Sequence, residues 1–146
     1  MKIALTIIGE PASKANSRQL VHVNDGEGGK RALFIKSAKA RNYEADALKQ
    51  IPPAARLRLE GPVRVTLRIF YASQRPDLDE SVVLDVLQDR WLKVEGRERE
   101  LIQNGVYRND RQVREKHVFH AIDRANPRAE VEVEPLVAQQ AELVAA

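Results

Sequence analysis

The sequence predicts a single domain in which a small sheet packs against two helices, and three patterns carry that prediction. Val63, Val65, Leu67, Ile69 and Tyr71 alternate with Arg64, Thr66 and Arg68, which is the period of a half-buried strand. Ala40, Tyr43, Ala47, Leu48 and Ile51 recur at helical spacing behind Ser37, a good N-cap. A second helical pattern, Val82, Val83, Val86 and Leu87, follows Asp79. At 146 residues the chain has one domain's worth of material, enough to bury a core.

Taken in order, Ile3, Leu5 and Ile7 form the inward face of a first strand, which Gly9-Glu10-Pro11 ends. Residues 11–18, Pro-Ala-Ser-Lys-Ala-Asn-Ser-Arg, open a long basic and glycine-rich stretch that accommodates a hairpin with arms at 19–23 and 32–35. A loop of this length in a compact domain is functional or disordered, and its interleaved basic and hydrogen-bonding side chains favour function. Lys14, Arg18, Lys30 and Arg31 are its phosphate-reaching groups, with Asn16 among them. The first helix turns Lys39, Arg41, Asp46 and Lys49 to water, and Pro52-Pro53 stops it.

The strand at 63–71 delivers the chain to Arg75-Pro76-Asp77-Leu78-Asp79, where Pro76 keeps Arg75 out of the helical region. A helix is predicted over 80–92, with Trp91 joining the valines and Leu87 toward the core. Residues 93–103 are charge-rich, broken by Gly96, and read as a solvated insertion. Asn104-Gly105 has turn chemistry, and a strand over 112–122 places Arg114, Lys116, Val118 and His120 on one side. Residues 129–135 alternate Val131 and Val133 inward with three glutamates outward. The domain is thus expected over 1–136, with an alanine-rich flexible tail at 137–146.

Composition narrows the chemistry. With no cysteine, disulfides, thiolate ligands and cysteine nucleophiles are excluded, and three scattered histidines argue against zinc, so a bound metal would be held by oxygen. No apolar run is long enough to span a bilayer or act as a secretory core, so a cytoplasmic protein with no membrane partner is expected. Residues 1–60 carry 11 Lys/Arg against 6 Asp/Glu, and residues 61–146 carry 13 against 15. A basic front half beside an acidic rear half suits a phosphate-binding loop facing a carboxylate site, and equally a solvated surface of mixed charge.

Asp77 and Asp79 fall one residue apart at a strand's end, where alternation can turn both toward one cation. Asp79 is also placed to cap the helix that follows, which is the purely structural reading of it. Asn109-Asp110 supplies a further acidic point ahead of the next strand.

Three segments together resemble the RusA family of Holliday junction resolvases. They are the 11–18 loop, the Arg75-Pro76-Asp77-Leu78-Asp79 motif with Leu84-Asp85-Val86-Leu87 behind it, and the run Asn104-Gly105-Val106-Tyr107-Arg108-Asn109-Asp110-Arg111-Gln112-Val113. The resemblance covers about residues 3–134 and implies an α+β fold with a mixed sheet and a tight homodimer. It further implies Mg²⁺ dependence, with Mn²⁺ as a substitute, and paired cuts in a four-way DNA junction. It carries the family's three catalytic carboxylates and metal ligands to Asp77, Asp79 and Asp110. Beside them, the basic and polar side chains Lys14, Asn16, Arg18, Lys30, Arg31 and Arg75 are expected to bind DNA. Two positions depart from the pattern: the lysine expected four residues beyond the second aspartate is Val83, and a basic residue expected late in the following strand falls on His120. Lys116, on the same strand face as His120, is assigned the missing catalytic charge. The segment before Asn104 is longer than is usual for the family.

Clustered aspartates repel one another until a cation or a proton relieves them, so a chain that keeps three together is expected to use them. Cutting both strands of a junction needs two sites and hence a twofold dimer; the apolar face of Val63–Tyr71 and the helix bearing Trp91 are the surfaces expected to meet. Beside the resolvase stand a junction-binding protein with weak or no cleavage, motivated by Val83, a nuclease for flaps or simple branched DNA, and a module whose aspartates only cap helices. Asp85 reads as an exposed helix aspartate or as a supporting carboxylate behind the ligands.

Overall fold

Ten elements follow one another in the computed structural model, which describes residues 1–12, 18–74 and 78–136. They are β1 (Ile3–Ile8), β2 (Arg18–Asn24), β3 (Lys30–Lys36), α1 (Ala38–Gln50), β4 (Val63–Tyr71), α2 (Ser81–Val86), β5 (Arg90–Leu92), β6 (Glu100–Gln103), β7 (Val113–Ile122) and β8 (Arg128–Pro135). The chain is a single small domain of mixed α and β structure, with two α-helices among the described residues and a sheet of four strands there in the order β1-β8-β4-β7. β1–β8 and β8–β4 are antiparallel and β4–β7 is parallel, so the sheet is mixed as expected.

Strand alternation decides which face is dry. Val63, Val65, Leu67 and Ile69 of β4 are wholly buried, as are Ala129 and Val133 of β8, and they share one core with Tyr43 and Ala47 of α1 and Val83 and Val86 of α2. The opposite face carries charge pairs: Arg64 with Glu115 and Glu134, Arg68 and Lys2 with Glu132, and Arg128 with Glu130. Guanidinium groups also lie over rings on this face, Arg68 on Phe119 and Arg128 on Phe70. β4 is therefore central and its apolar face is already covered by helices, so it is not the dimer surface expected from the sequence.

Helix α1 begins as its sequence dictates, with the Ser37 hydroxyl accepting from Ala40 N at 3.1 Å. Its last turn is fastened to β1 by one side chain: Ile8 N donates to Gln50 Oε1 at 2.7 Å and Gln50 Nε2 donates to Ile8 O at 2.9 Å. β2 and β3 form the expected hairpin, paired from Arg18↔Lys36 at its base to Asn24↔Lys30 at its tip. Leu20 and Phe34, a cross-strand pair, are half or more exposed, so the hairpin projects as an arm rather than packing on the core.

The second helix is shorter than the predicted span of 80–92. It ends at Val86, and residues 90–92 and 100–103 form a separate two-stranded hairpin of mostly exposed residues, with Gly96 at positive φ between them. Trp91 is consequently exposed rather than in the core, and the Arg99 guanidinium covers its ring at 4.2 Å. The cause is Asp89. Its nearly inaccessible carboxylate takes a bidentate pair from Arg58 (2.9–3.2 Å) and the Gly105 N–H (2.8 Å), partners that a continuing helix could not present.

Candidate active site

Segments far apart in sequence converge where α2, the hairpin base and the loop before β7 meet. The anchoring begins at residues 56–59, which are stitched to 104–107: Arg58 N donates to Gly105 O at 3.0 Å and Leu59 N to Val106 O at 2.9 Å. Arg58 adopts φ +48, a left-handed conformation that costs a non-glycine residue about 1 kcal/mol and is held here by the pair with Asp89. Val106 N then donates to Leu87 O at 2.7 Å, and Val106 and Tyr107 are fully buried. The Tyr107 hydroxyl donates to Leu84 O at 2.6 Å. The loop is thus wound against the exit of α2.

Asp110 comes next. Its N–H donates to Gln88 Oε1 at 3.1 Å, while Gln88 Nε2 donates to Asp85 Oδ1 at 2.8 Å, so one glutamine amide sets the two aspartates in register. The Asp110 carboxylate is exposed and takes no hydrogen bond or ion pair among the described residues. Burial, and then the charges of Asp110 and Asp85, push the Tyr107 hydroxyl far above the ordinary tyrosine value. The turn itself is held by Gln112. Its Oε1 accepts from Arg108 N (2.8 Å) and Asn109 N (2.9 Å), and its Nε2 donates to Leu59 O (2.7 Å) and Gly61 O (2.9 Å). At roughly 1 kcal/mol per net hydrogen bond, discounted for partial exposure, Gln112→Ala is expected to lower unfolding free energy by about 2 kcal/mol in urea denaturation. A change below about 0.5 kcal/mol would show that Gln112 does not hold the turn.

Asp79 does what its local sequence allows. Its carboxylate accepts from Ser81 N at 3.0 Å and Ser81 Oγ at 2.9 Å, a turn closed two residues on; Glu80, not Asp79, occupies the N-cap position, without a capping side chain. Glu80 instead takes the Lys116 ammonium at 2.7 Å from β7. That hydrogen bond outweighs partial burial and holds Glu80 below the usual carboxylate range, with His120 adding to the effect. His120 stacks on Tyr71, ring centroids 5.8 Å apart. Lys116 and His120 therefore stand on the α2 side of β7, as their parity predicted, and Lys116 is engaged with Glu80.

An open cleft of about 220 Å³ gathers the pieces: Arg18 and Lys36 from the hairpin base, Ser81 and Asp85 from α2, and Asp110. Arg18 lines the same cleft as Asp85 and Asp110. Lys30 and Arg31 sit at the other end of the hairpin, about 20 Å away at the rise of a strand. Lys14, Asn16, Arg75 and Asp77 lie outside the described residues, as does the tail at 137–146. Among the described residues, Glu10 after β1 accepts from Ala72 N after β4 at 2.8 Å.

Lys36 of this cleft escaped the sequence reading, and Asp85 was read there only as an exposed helix aspartate or a supporting carboxylate. Lys36 ends β3 immediately before the cap of α1 and was not singled out; its Nζ lies 2.6 Å from Glu44 Oε2 and 3.2 Å from Asp85 Oδ2. Asp85 is only partly exposed and is held between that ammonium and Gln88. Its spacing from Ser81, four residues on a helix, was the available signal. Val83, where a lysine was expected, is fully buried in the core.

Asp85 and Asp110 offer carboxylate oxygens to the cleft, and the Asp110 carboxylate is uncommitted among the described residues. Among the described residues no three His, Asp or Glu side chains are grouped to hold a metal ion, and Asp77, the remaining member of the expected set, lies outside them. No helix among the described residues is long and apolar enough to cross a membrane. Compared with known proteins, the chain matches no family model and no curated protein sequence.

Proposed function

We propose that the protein is a Mg²⁺-dependent endonuclease of RusA type that cuts four-way DNA junctions. The observation that carries this reading is the cleft in which Asp85 and Asp110 face Arg18 and Lys36, with Ser81, the partner of Asp79, on the same wall. Carboxylates opposite cations are what phosphodiester hydrolysis asks of a protein: one set to hold the metal, the other to hold the phosphate. Asp79 and Asp110, with Asp77, would hold the ion, and Mn²⁺ would substitute. When bound, the cation supplies an activated water and neutralises charge on the phosphate.

The chain's own residues do the rest. Arg18 positions the phosphate from the hairpin base, while Lys30 and Arg31 at the hairpin tip reach DNA further along an arm; Lys14, Asn16 and Arg75 are assigned to DNA binding by sequence alone. Lys116 stands ready beside Glu80 at the β7 side. A junction needs two such sites, so the active form is a homodimer; the exposed Leu20, Leu33 and Phe34 of the arm are apolar surface of the kind a partner subunit covers. A cytoplasmic protein is the setting this activity implies.

The test is cleavage of a synthetic four-way junction, a Y-fork and plain duplex in Mg²⁺. Selective, symmetrically paired nicking of the four-way junction is expected, lost in Asp79→Asn. Equal rates on all three substrates would sink the resolvase reading, and equal rates on the junction and the Y-fork with little on duplex would favour a nuclease for simple branched DNA. The buried Val83 favours a second reading, a junction-binding protein with weak or no cleavage; salt-dependent binding of the junction without Mg²⁺-dependent nicking would establish it.

A further inference from the structure

We propose that the free edge of β7 is a seam at which two copies of the chain meet, β7 against β7, antiparallel about a twofold axis at Phe119, joining two four-stranded sheets into one; the need for a second copy rests on the junction-nuclease reading. Among the described residues the main sheet has two edge strands, β1 and β7. β1 is six residues long and Gly9 follows it, whereas β7 runs for ten residues without proline or glycine. An edge of that length is a template for another strand, and natural edges are ordinarily shortened, charged or broken to prevent such pairing. The second half of β7 carries no such guard: every residue from Phe119 to Ile122 is exposed, and Phe119 and Ile122 are each 55% accessible.

The backbone decides which groups the edge offers. Asp123 N donates to Tyr71 O at 2.8 Å, so the odd-numbered residues of this stretch turn their N–H and C=O groups toward β4. Lys116, Val118, His120 and Ile122 turn theirs outward, where no described strand pairs with them. In an antiparallel pair the outward groups bond across the seam, and the residues between them meet side chain to side chain, their Cα atoms about 4.5 Å apart. With the axis at Phe119, that ring meets its own copy, Ile122 lies across from the aliphatic stem of Lys116, Val118 faces His120, and His117 stands diagonal to Asp123. An axis at Val118 would set Lys116 against His120, and one at Lys116 would bring two ammonium groups together. The like-charge meeting in the chosen register is Glu115 with Asp123, and each already holds an arginine, Arg64 and Arg128. A twofold normal to the sheet keeps each face on its own side, so the clefts of both copies, on the α2 face, open in one direction and a single branched DNA can reach both. Phe119 lies on the other face beneath the Arg68 guanidinium, away from the clefts.

The experiment uses the full chain, which has no cysteine of its own. Phe119→Cys, oxidised with diamide, is expected to convert about half or more of the protein to a reducible dimer, because facing residues of a non-hydrogen-bonded pair stand at disulfide distance. Ile8→Cys, on the β1 edge, and Phe34→Cys, on the arm, should give little under the same treatment. In sedimentation equilibrium over about 1–200 µM, wild type should show a dimer of micromolar strength, as suits a small seam of about eight residues a side. Phe119→Asp, and His120→Pro, which removes an outward N–H, should weaken that dimer about tenfold or more with native circular dichroism. Both should also turn paired nicking of a four-way junction into single nicks. A wild-type monomer throughout the range, crosslinking through Phe34→Cys in place of Phe119→Cys, or an unchanged dimer in either folded variant overturns the seam; if Mg²⁺-dependent junction cleavage persists there, the nuclease reading stands without it. A dimer that crosslinks through Phe119→Cys yet whose wild type cuts no junction upholds the seam and strikes the nuclease reading.

Discussion

Asp110→Asn is expected to slow Mg²⁺-dependent junction cleavage by at least about 100-fold while leaving junction binding and thermal stability nearly unchanged. The stability half of the result is the discriminating one. The Asp110 carboxylate has no partner among the described residues, and its N–H bond to Gln88 is untouched by an isosteric amide. A substitution of that kind moves unfolding free energy by less than about 0.5 kcal/mol. Full loss of cleavage at an unchanged denaturation midpoint identifies a group kept for chemistry. Retained cleavage with a stability loss above about 1 kcal/mol would make Asp110 part of the scaffold instead.

Gly105→Ala is expected to cost about 3 kcal/mol of unfolding free energy or to prevent folding altogether. The reason is contact rather than backbone freedom. A Cβ at this position would lie 2.3 Å from Gln88 C, 2.5 Å from Asp89 N and 2.5 Å from Tyr107 O, all main-chain atoms that have no rotamer by which to yield. The same glycine donates its N–H to Asp89, so displacement of the loop would also loosen the Arg58–Asp89 pair. Urea denaturation reads the effect directly, and a wild-type midpoint would show that the two segments are not pressed together as described. Any folded remainder should also cleave poorly, because the loop that moves carries Asp110 past Asp85.

The parts of the fold legible in the sequence are those decided locally. β4 and β8 announce themselves by alternation, and α1 by the Ser37 cap and its apolar spacing, because burial on one face imposes a period that neighbouring residues display. The arms of the β2–β3 hairpin were legible for the same reason. Trp91 misled because it stands four residues after Leu87, which mimics another helical turn. What ends α2 is the tie from Asp89 to Arg58 and Gly105, residues 31 and 16 positions away. Asp79 was legible to within one residue: its carboxylate closes the turn onto Ser81, although Glu80 takes the cap position. Asp110 and its setting could be read from its motif. Lys36 could not, because its importance arises only when the base of a hairpin is laid against α2, and no spacing along the chain encodes that meeting. Asp85 was read as an exposed helix aspartate or a supporting carboxylate, but its surroundings, supplied by β3 and the loop before β7, were not legible.

The parallel pairing of β4 with β7 carries a consequence for how the molecule assembles. Asp79, Asp85 and Asp110 all lie on the crossover between those two strands, which starts after Tyr71 and ends before Val113. Closing such a long connection is entropically slow, and adjacent hairpins such as β2–β3 form well before it. The segments that bear these aspartates are therefore expected to take their places late in folding, when the valines of β4 and β8 have already collapsed against the helices. Under the proposed cation-binding reading, added divalent cation is expected to slow unfolding more than it speeds folding.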